Sequence, residues 1–526
     1  YKETQEIKQS EIAVLSRRGT SSHQVNPFVI ISDMNTTEDS GSCYGIGLLY
    51  SGSFSTYAEK DQFGMTRLMM GVLEERFNYE LAPGERFIAP ETTLVYSNTG
   101  FTTMSHHYHD LVRYNIVRGE YKTKRRPILI NNWEATYFDF NKTKLITIAE
   151  QAAKLGVEML VLDDGWFANR FDDYRGLGDW IVNEEKLGSN LKSLAKEINN
   201  LGMKFGLWIE PEMVNEDSAL YREHPDWALT IPLKRPNRGR SQLVLDFSRH
   251  EIVDYIFEMI ADVIRNANIE YIKMDMNRSL TDVATVCNGY QSQGKVLYNY
   301  VLGVYYFIER LHQEFPNLLI EGCSGGGGRF DLGMLYYTPQ IWCSDNTDAI
   351  DRIKIQHGTS FCYPICSVDS NISAVPNHQT GRITPFNTRF IVASSGNFGY
   401  QLDLAKLTEE EKAEVPKQIE QYKKLWDTIH NGYYYRLTDA SSNNDIEAWM
   451  MVKKDKSEAV LNIVAVKAHY NWKYRYVVCK GLDENAMYQN SDGKVYQGAA
   501  LMNLGLLIPN FTGDYQAFQF VLTKIS

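Results

Sequence analysis

The chain has 526 residues, 44% of them hydrophobic and 23% charged, a globular composition that excludes an intrinsically disordered protein. Its 54 Lys and Arg against 65 Asp and Glu leave a net charge of −11, so the broad basic face of a nucleic-acid binder is not supplied. At roughly 150 residues per domain the length suggests three or four domains, although an α/β barrel can absorb more than about 250 residues in one unit.

Seven cysteines form an odd set without a CxxC pair, and Cys362 and Cys366 match neither zinc-finger nor thioredoxin spacing. A reduced, cytoplasmic setting is therefore expected. No apolar run is long enough for a helical membrane span. The opening YKETQEIKQSE lacks an initiator Met and the pattern of a signal peptide, so a chain cut at its N-terminus is expected. The 33 Tyr, 23 Phe and 9 Trp suit either sugar stacking or β-rich packing, and composition does not choose between them.

Along residues 1–120, the segments VNPFVIISD, YGIGLLYSGSF and ERFIAPETTLVYS read as short strands of an incomplete N-terminal β-sandwich, closed by a helix over about 102–119. KTKRRP (122–127) reads as a connector whose charge is a solvated face. Across 121–430 short apolar runs alternate with amphipathic helices, the pattern of a parallel sheet covered by helices. Eight strand candidates begin near 127, 157, 204, 242, 269, 317, 340 and 358, which predicts a TIM (β/α)8 barrel. Their ends carry Trp133, Asp163 with Asp164, Trp208 with Glu210, Asp246, Asp275, Cys323 and Asp345. Polar groups gathered on so many strand ends suit the C-terminal mouth, where such barrels do chemistry. From 431 to 526 the texture returns to strands and predicts a C-terminal antiparallel β-sandwich.

In IKMDMNR (272–278), alternation places Lys273, Asp275 and Asn277 on one face. A lysine two residues away would keep Asp275 ionised and fit for nucleophilic attack; a plain structural ion pair fits equally well. WCSDNTD (342–348) offers Asp345, with Asp348 close behind, as an acid whose carboxyl like-charged neighbours would keep protonated. One ionised and one protonated carboxyl, about 5–5.5 Å apart, make a retaining glycosidase. CSGGGGR (323–329) lacks the lysine and helix context of a phosphate loop and reads as a pocket wall lined by Cys323; a plain turn fits equally well. Asp163 and Asp164 suit sugar hydroxyls better than a metal, because no ligand-spaced His stands beside them. His106, His107 and His109 would splay around a helix and are not expected to bind metal. Trp133, Trp166, Trp180 and Trp208 could each be core; Trp133 and Trp208 fall at strand ends and are favoured as sugar walls.

PILINNWEATYFDF, LVLDDGWF, KFGLWIEPEMV, GRSQLVLDFSR, YIKMDMNR, CSGGGGRFD, SDNTDA and SAVPNHQTGR together resemble glycoside hydrolase family 36, in its bacterial α-galactosidase branch, from about Arg18 to the C-terminus. The resemblance implies a retaining hydrolase that releases terminal α-D-galactose from melibiose, raffinose and related oligosaccharides, without metal or other cofactor. It implies Asp275 as nucleophile and Asp345 as acid/base. It also implies Asp163 and Asp164 on the sugar 4- and 6-hydroxyls, Trp133 and Trp208 as aromatic walls, and Arg240, Lys273 and Asn277 as further sugar contacts. Cys323 and Gly326 are implied near the 2-position, where a 2-acetamido group would lack room, which disfavours an α-N-acetylgalactosaminidase. A catalytically impaired sugar-binding protein is the other alternative, disfavoured by retention of both acids and Lys273. Met274, Ser241, Gln401 and the stretch VDSNIS depart from the family pattern, and bear on specificity more than on reaction class. A family-type homotetramer is implied for the intact protein.

Overall fold

The computed structural model describes residues 1–525 apart from 9, 10, 22, 287–289, 443 and 470–474. The N-terminal region holds β1 (Ile12–Leu15), β2 (Phe28–Ser32), β3 (Cys43–Leu48), β4 (Phe54–Lys60), β5 (Thr66–Val72) and β6 (Thr92–Ser97). They form two three-stranded antiparallel sheets, ordered β1-β4-β5 and β2-β3-β6. Alternation along β3 buries Cys43 and Gly45 and turns Tyr44 outward beside Tyr96 and Leu94 of β6. On the inner face the helix Phe101–Leu111 packs so closely that a Cβ on Gly45 would lie 2.6 Å from the Tyr108 ring. The following connector is not a solvated basic face. Arg125 grips Glu158 through two hydrogen bonds, and Arg126 is buried against the carbonyl of Pro339 and His430.

β7 (Leu129–Asn131), β8 (Met159–Leu162), β9 (Lys204–Ile209), β12 (Tyr271–Met274), β13 (Leu319–Gly322), β14 (Gln340–Trp342), β15 (Val368–Ser373) and β16 (Asn397–Gln401) close in that order into a parallel eight-stranded barrel. Between β9 and β12, β10 (Met213–Val214) and β11 (Leu243–Val244) pair only with each other, antiparallel. Two expected strands are therefore corrected. The run at 242 is the outer arm of this two-residue pairing. It follows Arg240 and Ser241, both at positive φ, and leads into the helix His250–Asn266, which made it look like a barrel unit. The run at 358 is the end of the helix Ala349–Thr359 and a buried loop, with the strand itself beginning at Val368. Burial of Phe361, Cys362, Tyr363 and Ile365 gave that loop a strand's hydrophobicity without its backbone. The seventh and eighth strands are β15 and β16, and Asp345 follows the sixth.

The barrel's side chains separate by period two. Ile130, Leu160, Leu162, Ile272, Met274 and Ile320 face outward into the core shared with the helices. Leu129, Met159, Val161, Tyr271 and Leu319 form a separate apolar layer inside. One step toward the mouth the inward positions turn polar: register pairs Lys273 with Trp208 on one side and Glu321 on the other.

The C-terminal region contains β17 (Tyr433–Arg436), β18 (Ile446–Val452), β19 (Glu458–Ala465), β20 (Tyr476–Val477), β21 (Met487–Asn490), β22 (Val495–Gln497), β23 (Leu506–Leu507) and β24 (Gln516–Lys524). Six form one sheet, β17-β18-β19-β24-β21-β22, and β20 pairs with β23. β18 is buried throughout because both faces are covered. Trp449 and Met451 join the barrel core, while Ile446, Ala448, Met450 and Val452 pack with Val477 and Leu506 of the two-stranded ribbon.

Candidate active site

Asp275 lies one residue past β12, and its buried carboxylate is fixed by N–H groups from three directions. Oδ2 accepts from Asn277 Nδ2 at 2.8 Å and from Trp208 Nε1 at 3.2 Å; Oδ1 accepts from the backbone N–H of Met276 at 2.8 Å and of Gly325 at 3.0 Å. Burial alone would raise this carboxyl. The Lys273 charge, the Gly325 N–H, the Cys323 thiol and the Asn277 amide outweigh it and hold the group below the usual carboxylate range. Lys273 does not contact Asp275 directly: its Nζ lies 3.4 Å from Asp163 Oδ2, so it acts on Asp275 through its field. Burial raises the Cys323 thiol far above its ordinary value, with the Asp275 charge adding to the effect, so it stays a neutral donor.

Asp345 stands three residues after β14, where the indole N–H of Trp342 donates to its Oδ1 at 3.0 Å and Gln379 Nε2 donates to its carbonyl at 2.8 Å. Burial raises its carboxyl and the negative charge of Asp275 raises it further, against the weaker opposite pulls of Lys273, Trp342 and Arg240. The glycine loop 324–328 joins the two acids. Gly325 donates to Asp275, whereas Gly326, at φ +86°, is so close to the other loop that a Cβ would lie 2.8 Å from Asp345 N. Only glycine takes that conformation without strain and leaves that space.

The remaining residues expected in the site divide into two groups. Asp163 accepts from Asn131 Nδ2 at 2.5 Å and from the N–H of Asp164 at 2.9 Å, and sits with Lys273 on the inward wall. Asp164 is held by Arg170 through Nε at 3.0 Å and Nη2 at 2.8 Å in a buried ion pair. Trp208 is buried and serves Asp275 as a hydrogen-bond donor. Trp133 is half-buried at the head of the short helix Trp133–Thr136, edge-on to Tyr137 and Phe138. Arg240 lies farther out, 3.7 Å from Asp173, with its charge reaching Asp345. Asp246 leaves the group: it follows β11, not a barrel strand, and accepts from Ser248. Asp348 caps the helix Ala349–Thr359 through the N–H groups of Ile350 and Asp351, and pairs with Arg382. His106 and His109 donate to the carbonyls of Tyr434 and Ser360. Trp166 and Trp180 are buried core residues.

Three members carried no assigned role in the sequence reading. Trp342 is the last residue of β14, and alternation from Gln340 would have turned it inward. Glu210 was visible as a strand-end acid. It accepts from the N–H of Asn277 and from Gln242 Nε2, and burial followed by the charge of Asp275 pushes it up to about 8. Arg170 lies in the loop after β8, where no periodicity marks it. Beneath the site, Tyr271 and Gln340 bond Glu321, and Gln340 also reaches Asp369, forming a closed polar floor. Among the described residues no three His, Cys, Asp or Glu side chains are arranged to hold a metal ion, and six cysteines are free and buried.

A closed parallel barrel carrying at its mouth one carboxyl held below and one raised above the usual carboxylate range fits the class of barrel glycosidases. Family comparison agrees: residues 86–432 match Melibiase, 1–82 the glycosyl hydrolase family 36 N-terminal domain, and 446–522 the family 36 C-terminal domain. The chain belongs to glycosyl hydrolase family 36. It is 52% identical over 515 residues to the bifunctional alpha-galactosidase/sucrose kinase AgaSK of Mediterraneibacter gnavus, covering 98% of this chain and 54% of that protein. It thus spans about half the length of that relative. Against alpha-galactosidase AgaA of Geobacillus stearothermophilus it is 48% identical, covering 98% of this chain and 70% of the relative. The crystal structure of AgaA superposes with a TM-score of 0.97, covering 99% of this chain and 72% of that one.

Proposed function

We propose that the protein is a retaining α-galactosidase. Asp275 carries the reaction as nucleophile and Asp345 as acid/base. The supporting observation is the pair itself: a carboxylate fixed by four N–H donors, set across one glycine loop from a carboxyl whose pKa is raised by lost solvation and by the charge of Asp275. Crystal structures of AgaA variants with raffinose and with stachyose carry, respectively, an Asp-to-Asn and an Asp-to-Ala replacement at positions 70 residues apart, the separation of Asp275 from Asp345 here. Oligosaccharides of that type are the proposed substrates.

In the first step an Asp275 oxygen attacks C1, the C1–O bond breaks, and the Asp345 proton passes to the departing oxygen. In the second, ionised Asp345 takes a proton from water, whose oxygen attacks C1, breaks the ester and frees galactose and Asp275. Asp163, Asp164, Lys273, Asn277 and Arg240 are assigned to sugar hydroxyls, Trp133 and Trp208 to the sugar's faces, and Cys323 with Gly326 to the 2-position. No cofactor enters this chemistry. The proposal extends to three parts at 1–120, 121–430 and 431–526, to a homotetramer, and to a cytoplasmic setting, this last supported by the buried free thiols.

The test is hydrolysis of a chromogenic α-galactoside by the parent chain and by Asp275→Ala. Activity should fall by at least about 10⁴-fold, and added azide should restore part of it as β-galactosyl azide. Near-normal hydrolysis by the variant would refute the nucleophile.

A further inference from the structure

Residues 18–21 and 23–26, between β1 and β2, are bound to the barrel mouth rather than to their own sheets alone. Arg18 Nε donates to Ser279 Oγ at 2.9 Å, and its carbonyl accepts from Leu280 N at 2.9 Å. Gly19, at φ +78°, lies so close to Leu280 that a Cβ there would come within 2.5 Å of that side chain. Ser21 Oγ donates to Asp331 Oδ2 at 2.6 Å and meets the Gly328 carbonyl at 3.3 Å; Asn26 Nδ2 donates to the Phe330 carbonyl at 2.7 Å. These contacts clamp the segment across the two loops that follow β12 and β13, the loops that carry Asp275 and the glycines.

The residue held at the centre of that clamp is His23. Its Nε2 lies 3.0 Å from where a Cβ on Gly328 would stand and 3.5 Å from one on Gly325; Asn277 Oδ1 is 3.6 Å from that same Gly325 position. Gly325 is therefore approached by both the Asn277 amide oxygen and the His23 imidazole. The ring is exposed to solvent at the mouth, and the charges of both Asp345 and Asp275 reach it. Partial loss of solvation, then the Arg18 charge, lowers its basicity against the pull of those two acids; a neutral imidazole offers one donor and one acceptor.

Access decides which part of a substrate meets this ring. Tyr271, Glu321, Gln340 and Asp369 fill the barrel below the acids, so a galactose whose C1 lies between Asp275 and Asp345 must direct its leaving group outward. We infer that His23 is a specificity-determining residue which hydrogen-bonds the leaving-group sugar, so that the N-terminal region completes the subsite beyond the galactose pocket. This inference rests on the α-galactosidase reading.

The test compares raffinose with p-nitrophenyl α-galactoside for the parent, His23→Ala and His23→Asn. Losing one hydrogen bond to a sugar should lower kcat/KM for raffinose about tenfold, mainly through KM, with a much smaller loss on the aryl substrate. His23→Asn, which keeps a donor and an acceptor, should recover most of the loss, and competitive inhibition by galactose should stay within about threefold of the parent. Equal losses on both substrates, a parallel loss of galactose affinity, or no loss on raffinose would overturn the assignment of His23. A parent chain that cleaves neither substrate would instead overturn the α-galactosidase reading beneath it.

Discussion

At the scale of single residues, the division of labour proposed for Asp275 and Asp345 comes from their donors. Asp275 is buried and Asp345 stands exposed at the mouth, and loss of solvation raises both carboxyls. Asp275 is brought back down by Lys273 and a set of N–H and thiol donors, whereas Asp345 has one strong side-chain donor, Trp342, and the negative Asp275 nearby. Trp342→Phe removes that donor while keeping an aromatic ring beneath Lys273, whose Nζ lies 5.4 Å from the indole. The indole N–H stabilises ionised Asp345, so its loss must raise the carboxyl's pKa. Because the first step needs the protonated acid, the alkaline limb of the kcat/KM profile should move to higher pH, by about 0.5–1 unit for a hydrogen bond of about 1 kcal/mol. A pH–rate profile on an α-galactoside measures this, and an unmoved or acid-shifted limb would show that Asp345 is not the group titrating there.

At the scale of elements, the site depends on loops that the strands only aim. Gly326 shows this directly. An alanine there would bring the strain of a left-handed conformation, about 1–2 kcal/mol, and a methyl pressed on the backbone of Asp345. Backbone does not yield as a flexible side chain would, so the Asp345 loop should shift. Gly326→Ala should keep its fold by circular dichroism and lose about 10–100-fold in kcat/KM; full activity would mean that the loop does not brace the acid. The helix Ala349–Thr359 holds the same loop from its other end through the Asp348 cap. Asp348→Ala should destabilise the protein by about 1–2 kcal/mol, seen as a lowered melting temperature. This difference between strand and loop also governs what the sequence discloses. The period-two face of IKMDMNR put Lys273 and Asp275 on one wall, and both point inward in the barrel. The run at 358 misled because burial makes a loop as apolar as a strand, and the run at 242 because a two-residue pairing precedes a genuine barrel helix. Contacts across loops, such as Trp342 to Asp345 or Arg170 to Asp164, leave no period in the sequence, so alternation alone cannot find them.

At the scale of the whole molecule, the barrel is held between two β regions that meet each other at Glu38 and Arg436. Arg436, on β17, is buried and donates to both Glu38 oxygens, at 2.9 and 2.7 Å, and also to Ser105 and Ser360. Glu38 lies between β2 and β3 and additionally accepts from Thr102 Oγ1 at 2.9 Å. One ion pair thus ties the N-terminal sheets, the helix Phe101–Leu111, a barrel loop and the C-terminal sheet. Burial would raise the Glu38 carboxyl, but the Arg436 charge and its hydrogen bonds hold it below the usual range. A folded-state pKa below the unfolded one contributes stability that is full above the unfolded value, about 4.3, and is lost as pH falls through the folded value. The contribution should therefore be constant from neutral pH down to about 5 and disappear in more acidic buffer. Removing Glu38 leaves Arg436 buried and unpaired, which costs about 3 kcal/mol, whereas removing Arg436 leaves a partly exposed Glu38 and costs less. Glu38→Gln and Arg436→Met should each lower the melting temperature at pH 7, and the double variant should lose less than the sum of the two, because the second change relieves the orphaned group. Calorimetry at pH 7 and pH 3.5 checks both parts. Additive losses, or a Glu38→Gln deficit that persists undiminished at pH 3.5, would show that the two β regions are joined by packing alone.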